Sequence, residues 1–372
     1  MNQSPLVWVT SRSSERPDKG SSHGNQNARY GVGLAANGFN KTRCHFIRND
    51  TDPSFPVSEN RDRARTSLLS EFYEHGPWPD IFVYGVGDDT GALQARVLKE
   101  LCHESGAPQP NFISYMAESD EPKCSEADII VVPNIFKGNL PDDNHIIFHD
   151  GIPHRLTVEE ITEAAGVGQE RLEQIDKYFQ KRNAVVIIGN PTSGFNNNLK
   201  ELGENLGIHL AQIAELHSLN LLVVTSPRTE TKLLQKLVQT FDLLDVPNML
   251  FDWHTDRKNG TPNPYPGVLG LKSVEAVFIT PDTMSMVNEA LTMKNRTFIL
   301  DTGWILDPFN QKHNAQLIDA EVCFSSKALV DGASPLEQFQ GSSKNPMAAL
   351  AQQISARLDA VRQGTINHQL SL

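Results

Sequence analysis

The chain has 372 residues, the length expected of two domains, and 39% of them are hydrophobic, which is enough to build two cores. Its 33 lysine and arginine residues against 45 aspartate and glutamate residues give a net charge of −12 at pH 7, which argues against a general nucleic-acid binder. The 4 cysteines are far apart and no apolar run reaches the ~18 residues of a membrane span, so a disulfide scaffold, a structural zinc site and a transmembrane helix are not expected. No secretory signal is visible at Met1–Thr10, and we expect a cytoplasmic protein.

Short runs of β-branched and aliphatic residues recur along the whole chain. Several are apolar throughout, as expected of strands that are covered on both faces of a parallel sheet. The predicted strands are Leu6–Thr10, Arg43–Ile47, Asp80–Tyr84, Asn111–Tyr115, Asp128–Val132, His145–Phe148, Ala184–Ile188, Leu221–Thr225, Asn248–Phe251, Ala276–Ile279, Thr297–Leu300 and Val322–Phe324.

The segments between these runs carry leucines at helical spacing, as in Thr90–Glu104 and Asn198–Leu216. Strands that alternate with helices predict two successive doubly wound α/β units. We place their boundary near Arg155, because Thr157 and Glu160 have the spacing of a capping box at the start of a helix over Thr157–Lys181. The predicted domains are residues 1–155, residues 156–345, and a C-terminal helix and tail over residues 346–372.

Ligands of open parallel sheets bind beyond the carboxyl ends of the strands, so the loops there are the candidate sites. The richest loop follows the strand that ends at Ile279. Asp282, Thr283 and Ser285 suit a helix N-terminus that receives a phosphate, and Glu289 lies one turn further on the same face, where it suits a sugar hydroxyl. The alternative is an ordinary capped helix with a solvated glutamate.

A second loop holds Ser226, Arg228 and Thr229 directly after a strand. The planar fork of an arginine binds two oxygens of a diphosphate, although the same residues also suit a plain turn with a surface arginine. Aromatic and amide side chains follow the next strand, at Trp253 and in Asn263–Tyr265, and they suit a pocket for a base or packing at its rim.

The first half carries candidate acceptor residues in three loops. His23 is the candidate general base, because imidazole titrates near neutrality, and a surface histidine without a role is the alternative. Asp150 could orient an acceptor or stabilise the hinge between the halves. The other residues expected to contact the acceptor are Lys19, Gly20, Gln26, Gly87, Asp88, His154 and Arg155.

The turn at Gly85–Gly91 is not a dinucleotide fingerprint, because Gly91 falls one residue late and the acids at 88 and 89 would repel pyrophosphate. Asp88 and Asp89 are more typical of a helix N-cap than of a metal site. The chain contains no GxSxG, HExxH, P-loop or kinase motif.

Taken together, these loops resemble the mitochondrial fission "elongated mitochondria" family, whose bacterial members are described as glycosyltransferases. The resemblance runs from about Trp8 to Gly303 and is most specific between Asn263 and Ala290. It rests on Lys19-Gly20, His23, Gln26, Gly33-Leu34-Ala35, Pro79-Asp80, Ala127-Asp128, Val132-Pro133, His149-Asp150-Gly151, Arg155, Ser226-Pro227-Arg228-Thr229, Asn263-Pro264-Tyr265 and the segment from Asp282 to Ala290.

That family is similar to the GT-B glycosyltransferases, which have two facing Rossmann-like domains. The resemblance implies that the second domain holds a nucleotide-sugar, with Glu289 on the ribose and the helix start at Thr283 and Ser285 on the diphosphate. It implies an acceptor and a catalytic base in the first domain, where His23 or Asp150 would take the proton. The family pattern usually has a glycine-rich turn where this chain has Asp282, and a basic turn where it has Asp88.

The resulting hypothesis is a metal-independent glycosyltransferase without a cofactor, which moves a sugar from a nucleotide-activated donor to a cell-envelope glycan or glycolipid. Peripheral contact with the inner membrane would accompany a glycolipid acceptor. Two alternatives stay open. One is a nucleotide-sugar epimerase or hydrolase of the same fold, and the other is a non-catalytic adaptor of the organelle-fission type.

Overall fold

The computed structural model describes residues 4–12, 22–51, 54–85, 89–116, 127–140, 143–166, 172–175, 182–191, 198–261, 264–331, 334–341 and 345–364, with the backbone alone at 11, 12, 22–26, 89 and 90. Contacts within the chain divide it into two compact units. Unit 1 comprises Met1–Arg155 together with Pro346–Leu372, and unit 2 comprises Leu156–Asn345.

Unit 1 is built on a parallel sheet of six strands in the order β2-β1-β3-β4-β5-β6. Its central strands are almost wholly buried, which explains why their sequences are apolar without alternation. The strands are β1 (Val7–Arg12), β2 (Cys44–Asn49), β3 (Ile81–Gly85), β4 (Asn111–Tyr115), β5 (Ile129–Pro133) and β6 (Ile146–His149). The helices are α1 (Ser22–Ala36), α2 (Val57–His75), α3 (Asp89–Ser105) and, from the end of the chain, α11 (Pro346–Arg362).

Helix α11 completes the core of unit 1. Met347, Leu350, Ile354 and Leu358 follow each other at three- or four-residue steps and are buried together with side chains of α1 and of β1 and β3 to β6. The sequence analysis set residues 346–372 apart, because the helical spacing of an apolar stripe shows that one face is buried but not which core receives it.

Unit 2 is built on a second parallel sheet of six strands, in the order β12-β11-β10-β7-β8-β9. The strands are β7 (Asn183–Ile188), β8 (Asn220–Thr225), β9 (Asn248–Phe251), β10 (Val274–Ile279), β11 (Arg296–Ile299) and β12 (Phe324–Ser325). The helices are α4 (Val158–Gly166), α5 (Leu199–His217), α6 (Thr231–Leu243), α7 (Trp253–Asn259), α8 (Met284–Leu291), α9 (Pro308–Asp319) and α10 (Lys327–Val330).

Every predicted strand overlaps an observed strand, and both units have the predicted α/β class. The predicted capping box at Thr157 is confirmed, since Thr157 and Glu160 exchange hydrogen bonds between side chain and main-chain N–H, both at 3.3 Å. The helix predicted over Thr157–Lys181 is described as α4 and as helical residues 172–175, and the rest of it lies outside the described residues. Within the described chain, no helix has the length and apolar character needed to cross a membrane.

Candidate functional site

The carboxyl ends of β10, β7, β8 and β9 adjoin each other in the sheet of unit 2, so the loops that follow these strands meet along one edge. These are the loops in which the sequence placed the donor-binding residues. The edge therefore brings together Ser226, Arg228 and Thr229 after β8, Trp253 after β9, and the segment from Asp282 to Glu289 after β10.

The turn after β8 is fixed by the hydroxyl of Thr229. This hydroxyl accepts a hydrogen bond from the N–H of Ser226, at 2.9 Å, and donates one to the carbonyl of Ile188 at the end of β7, at 2.7 Å. The N–H of Arg228 donates to the hydroxyl of Ser226, at 3.2 Å. Ser226 and Thr229 are buried while Arg228 is exposed, so the turn presents the arginine side chain to solvent on a rigid support.

The loop after β10 is joined to the loop after β7 by Asp282. Its carboxylate accepts a hydrogen bond from the N–H of Asn190, at 2.6 Å, and the hydroxyl of Thr280 accepts one from the N–H of Gly189, at 2.8 Å. Burial raises the pKa of the Asp282 carboxyl above its ordinary value, while hydrogen bonds and the positive charge of Arg228 act in the opposite direction. The predicted phosphate contact of Asp282 stays a prediction, but its carboxylate has a structural role in this loop.

Helix α8 begins without a side-chain cap. The hydroxyl of its N-cap residue, Thr283, donates to the carbonyl of Thr280, at 3.1 Å, and makes no hydrogen bond to the first turn. The helix N-terminus thus offers main-chain N–H groups beside Ser285, the arrangement that binds anions in many proteins.

Glu289 and Tyr265, two predicted donor-binding residues 24 positions apart, are in contact. The Tyr265 hydroxyl donates a short hydrogen bond to Oε2 of Glu289. Burial and the neighbouring carboxylate raise the pKa of the Tyr265 phenol well above its ordinary value, so the phenol stays protonated. This pair is not predictable from the sequence, which suggests for Tyr265 a place in a base pocket or at its rim.

Trp253 is the first residue of α7, after the N-cap Asp252, whose carboxylate accepts from the N–H of Thr255 at 3.2 Å. The indole is half-buried, and the guanidinium of Arg257 lies 5.0 Å from its ring centroid. One face of the ring is therefore already covered by a cation.

In unit 1 the carboxyl end of β6 carries the catalytic candidate Asp150 and, before it, the buried His149, which was not a predicted site residue. The exposed carboxylate of Asp150 accepts a short hydrogen bond from the side-chain amide of Asn134, which follows β5. Nδ1 of His149 lies 3.2 Å from the main-chain carbonyl of Asp150. Because a carbonyl only accepts, Nδ1 carries the ring proton and Nε2 has a lone pair.

His149 is 4% exposed, and its Nε2 has no hydrogen-bond partner among the described residues. Burial lowers the pKa of this imidazole from 6.5 to about 4, so the ring is neutral at physiological pH. A buried acceptor atom without a donor is uncommon. The sequence signal was its place between a strand and Asp150, but nothing in the sequence distinguished it from Asp150 or His154.

His154 is buried and its main chain packs against α1. A Cβ atom on Gly31 would lie 2.4 Å from the His154 nitrogen, so only glycine fits there. Arg155 is exposed at the end of unit 1. Lys19, Gly20, Gly87, Asp88 and Asn263 lie outside the described residues, and so do the side chains of His23 and Gln26, whose backbone forms the start of α1.

The family model described as "Mitochondrial fission ELM1" matches residues 24–358. The chain belongs to the mitochondrial fission ELM1 family. The match confirms the resemblance seen in the sequence. It also extends past Gly303 through most of α11, the helix that completes unit 1 of this ELM1-family protein.

Two solved structures illustrate the fold of this ELM1-family protein. A UDP-N-acetylglucosamine 2-epimerase is 10% identical, with 100% of this chain and 99% of that protein covered and a TM-score of 0.54. A Listeria monocytogenes protein proposed to be a UDP-N-acetylglucosamine 2-epimerase is 12% identical, with 98% of each chain covered and a TM-score of 0.50. At these identities the similarity shows the fold alone, which is a GT-B-like pair of Rossmann-like domains.

No curated protein sequence matches this chain. Among the described residues, no group of three or more histidine, cysteine, aspartate and glutamate side chains is arranged to hold a metal ion.

Proposed function

We propose that this ELM1-family protein is a glycosyltransferase that uses a nucleotide-sugar donor and a cell-envelope glycan or glycolipid acceptor, with no metal ion or cofactor. The observation that carries the proposal is the edge of unit 2, where Arg228 and the uncapped start of α8 lie on loops of the same four neighbouring strands. A guanidinium and free main-chain N–H groups are the donors that a diphosphate requires.

In the proposed reaction, the bond between the anomeric carbon and the diphosphate oxygen breaks, and a bond to an acceptor hydroxyl oxygen forms. The nucleoside diphosphate leaves with the bonding electron pair, and Arg228 with the α8 N-terminus stabilises its growing negative charge. Glu289 binds the ribose, while Trp253, Asn263 and Tyr265 support the nucleoside, and Ser226, Thr229, Asp282 and Thr283 shape the loops. Arg228 and the α8 N-terminus thus stabilise the charge of the leaving diphosphate, which is the role of the metal ion in other transferases.

The acceptor proton goes to a base in unit 1. His23 and Asp150 are the candidates from the sequence, and the exposed carboxylate of Asp150 is the one of the two whose side chain lies within the described residues. Lys19, Gly20, Gln26, Gly87, Asp88, His154 and Arg155 are proposed to contact or support the acceptor. A glycolipid acceptor would bring the protein to the inner membrane surface.

The first test is thermal stabilisation by a panel of nucleoside monophosphates, nucleoside diphosphates and nucleotide-sugars. A ligand at 100 times its dissociation constant adds about 2.7 kcal/mol to the free energy of unfolding. We expect a shift that depends on the base and disappears in Glu289→Ala and Arg228→Ala. Arg65→Ala is the matched control, because Arg65 pairs with Glu104 on the surface of unit 1. No shift with any nucleotide would contradict the proposal and favour a non-catalytic adaptor.

A nucleotide-sugar epimerase or hydrolase is the second candidate, favoured by the fold shared with UDP-N-acetylglucosamine 2-epimerase. Incubation of the bound donor without an acceptor separates the two. Epimerised or free sugar under those conditions indicates the second candidate, and turnover only with an acceptor indicates the transferase.

A further inference from the structure

Tyr265 contacts Glu289 but lies in a different part of the chain, between α7 and the 3₁₀ turn at Gly267–Gly270. We propose that Tyr265 is a positioning residue, whose hydroxyl holds the Glu289 carboxylate in the orientation that recognises a ribose diol. The ligand class is therefore a ribonucleoside diphosphate and not its 2′-deoxy counterpart. This inference rests on the proposed nucleotide-sugar site of unit 2.

The main chain that follows Tyr265 is anchored on α4. A Cβ atom on Gly267 would lie 2.7 Å from the carbonyl oxygen of Ala164, and one on Gly270 would lie 2.7 Å from that of Ile161, so this segment packs directly on the backbone of α4. The side chain of Asn295 donates to the carbonyl of Leu269, at 3.1 Å, from the opposite side. The segment cannot shift without breaking these contacts.

The ring of Tyr265 adds a second constraint, since it packs against the hydrophobic core of unit 2 that includes Ile161 and Val287. Val287 belongs to α8, the helix that carries Glu289. The phenol and that helix therefore pack on the same core, beside which the Tyr265 hydroxyl reaches the Glu289 carboxylate.

The direction of the hydrogen bond is set by charge. The raised pKa keeps the phenol protonated, so Tyr265 donates and the glutamate carboxylate accepts. A carboxylate offers about four acceptor sites, so one bond from Tyr265 is compatible with further bonds from ribose hydroxyls. An O–H to carboxylate bond of this kind restrains the rotation of the carboxylate, which favours one orientation of its oxygens toward two adjacent hydroxyls.

The test compares Tyr265→Phe with the unchanged protein. The Phe ring keeps the packing and removes only the hydroxyl. The probes are the nucleoside diphosphate that the wild-type protein binds among ADP, GDP, UDP and CDP, its 2′-deoxy counterpart, and inorganic pyrophosphate. Tyr30→Phe is the control, because the Tyr30 hydroxyl donates to the carbonyl of Cys44 in unit 1, at 3.1 Å.

We expect the wild-type protein to prefer the ribonucleotide over the deoxynucleotide by on the order of tenfold, the ratio expected for one charge-assisted hydrogen bond. Tyr265→Phe should lose most of this preference while its affinity for pyrophosphate stays unchanged. If Tyr265 had a merely structural role, its substitution would lower the affinity for all three ligands by the same factor. Tyr30→Phe should behave like the wild-type protein.

The outcomes separate this inference from the function on which it rests. If the wild-type protein binds no nucleotide, both the proposed function and the positioning role of Tyr265 are wrong. If it binds nucleotides and Tyr265→Phe keeps the full ribose preference, or loses all three ligands in parallel, only the positioning role is overturned.

If Tyr265→Phe does not fold, two substitutions of Glu289 replace it. Glu289→Asp keeps the charge but shortens the reach to the Tyr265 hydroxyl, whereas Glu289→Gln keeps both the length and an acceptor oxygen. We expect the Asp variant to lose the ribose preference and the Gln variant to keep part of it. The reverse order would overturn the inference.

Discussion

The Asp282 carboxylate accepts a hydrogen bond from the main-chain N–H of Asn190, at 2.6 Å, and so ties together the loops that follow β10 and β7. The side chain of Asn314 in α9 secures the same loop from the other side, because it donates to the carbonyl of Pro281 at 2.6 Å. An acid at this position looks unsuitable for a phosphate site when only the sequence is considered. In the structure its charge is partly compensated by main-chain N–H groups and by Arg228.

Asp282→Asn should remove a loss of stability that occurs as pH rises through the acid range. The raised pKa means that folded Asp282 keeps its proton to a higher pH than unfolded Asp282, so this residue lowers the free energy of unfolding as pH rises from 3.8 through the folded pKa. Asparagine retains an acceptor for Asn190 and does not titrate. We would measure the free energy of unfolding of both proteins in urea between pH 3.5 and pH 7. The value for the variant should increase relative to that of the wild type as pH rises. A difference between the two proteins that stays constant with pH would contradict the prediction.

Gly189→Ala should disturb the loop that follows β10, because the new methyl group would clash with atoms of that loop. A Cβ atom at this position would lie 2.2 Å from Oδ2 of Asp282 and 2.2 Å from a methyl carbon of Thr283, at the start of α8. We expect a loss of about 1–3 kcal/mol of stability together with weaker nucleotide binding.

Gly166→Ala serves as the control for Gly189→Ala. Among the described residues, no atom outside the backbone of α4 and the chain neighbours of Gly166 lies within 4 Å of the Cβ position there, so this change should be neutral or stabilise slightly. Equal effects of the two substitutions on unfolding and on nucleotide affinity would count against the steric explanation.

His149→Gln should remove an acid-sensitive contribution to the stability of unit 1. Folded His149 takes up a proton only near pH 4, whereas the unfolded residue takes it up near 6.5, so stability is lost as pH falls between these values. A shift of this size corresponds to about 3 kcal/mol. Denaturant unfolding at pH 7 and at pH 4.5 should show a larger loss for the wild type than for the variant, and parallel losses would show that burial of His149 has no such effect.

The sequence predicted the strands well, and it placed the candidate donor loops at one edge of a sheet, because strands and loop positions depend on local patterns. Apolar runs such as Ala184–Ile188 are typical of strands covered on both faces, and parallel topology then places the ends of β7, β8 and β10 at one edge. The pairing of Tyr265 with Glu289 could not be predicted, since it depends on how the segment before the 3₁₀ turn at Gly267–Gly270 packs on α4. His149 was overlooked for a related reason, because only burial distinguishes it from its neighbours.

Leu350→Ala should destabilise unit 1 selectively. Leu350 is fully buried in the core that α11 shares with α1, so the truncation leaves a cavity and costs about 2–5 kcal/mol. Exposed Gln352 on the same helix provides the control, and Gln352→Ala should change stability by less than about 0.5 kcal/mol. Hydrogen exchange should show faster opening of β1 and α1 in Leu350→Ala while β8 and α5 remain protected, and uniform loss of protection would contradict the selectivity.

The position of α11 also determines the order in which the protein matures on the ribosome. Domains usually fold in the order in which they emerge. Here unit 2 is one continuous stretch, Leu156–Asn345, whereas unit 1 obtains the last layer of its core from Pro346–Arg362, which is synthesised after unit 2. The second unit of the chain is therefore the first that can fold completely, and until α11 emerges the apolar face of α1 that it covers lacks this partner.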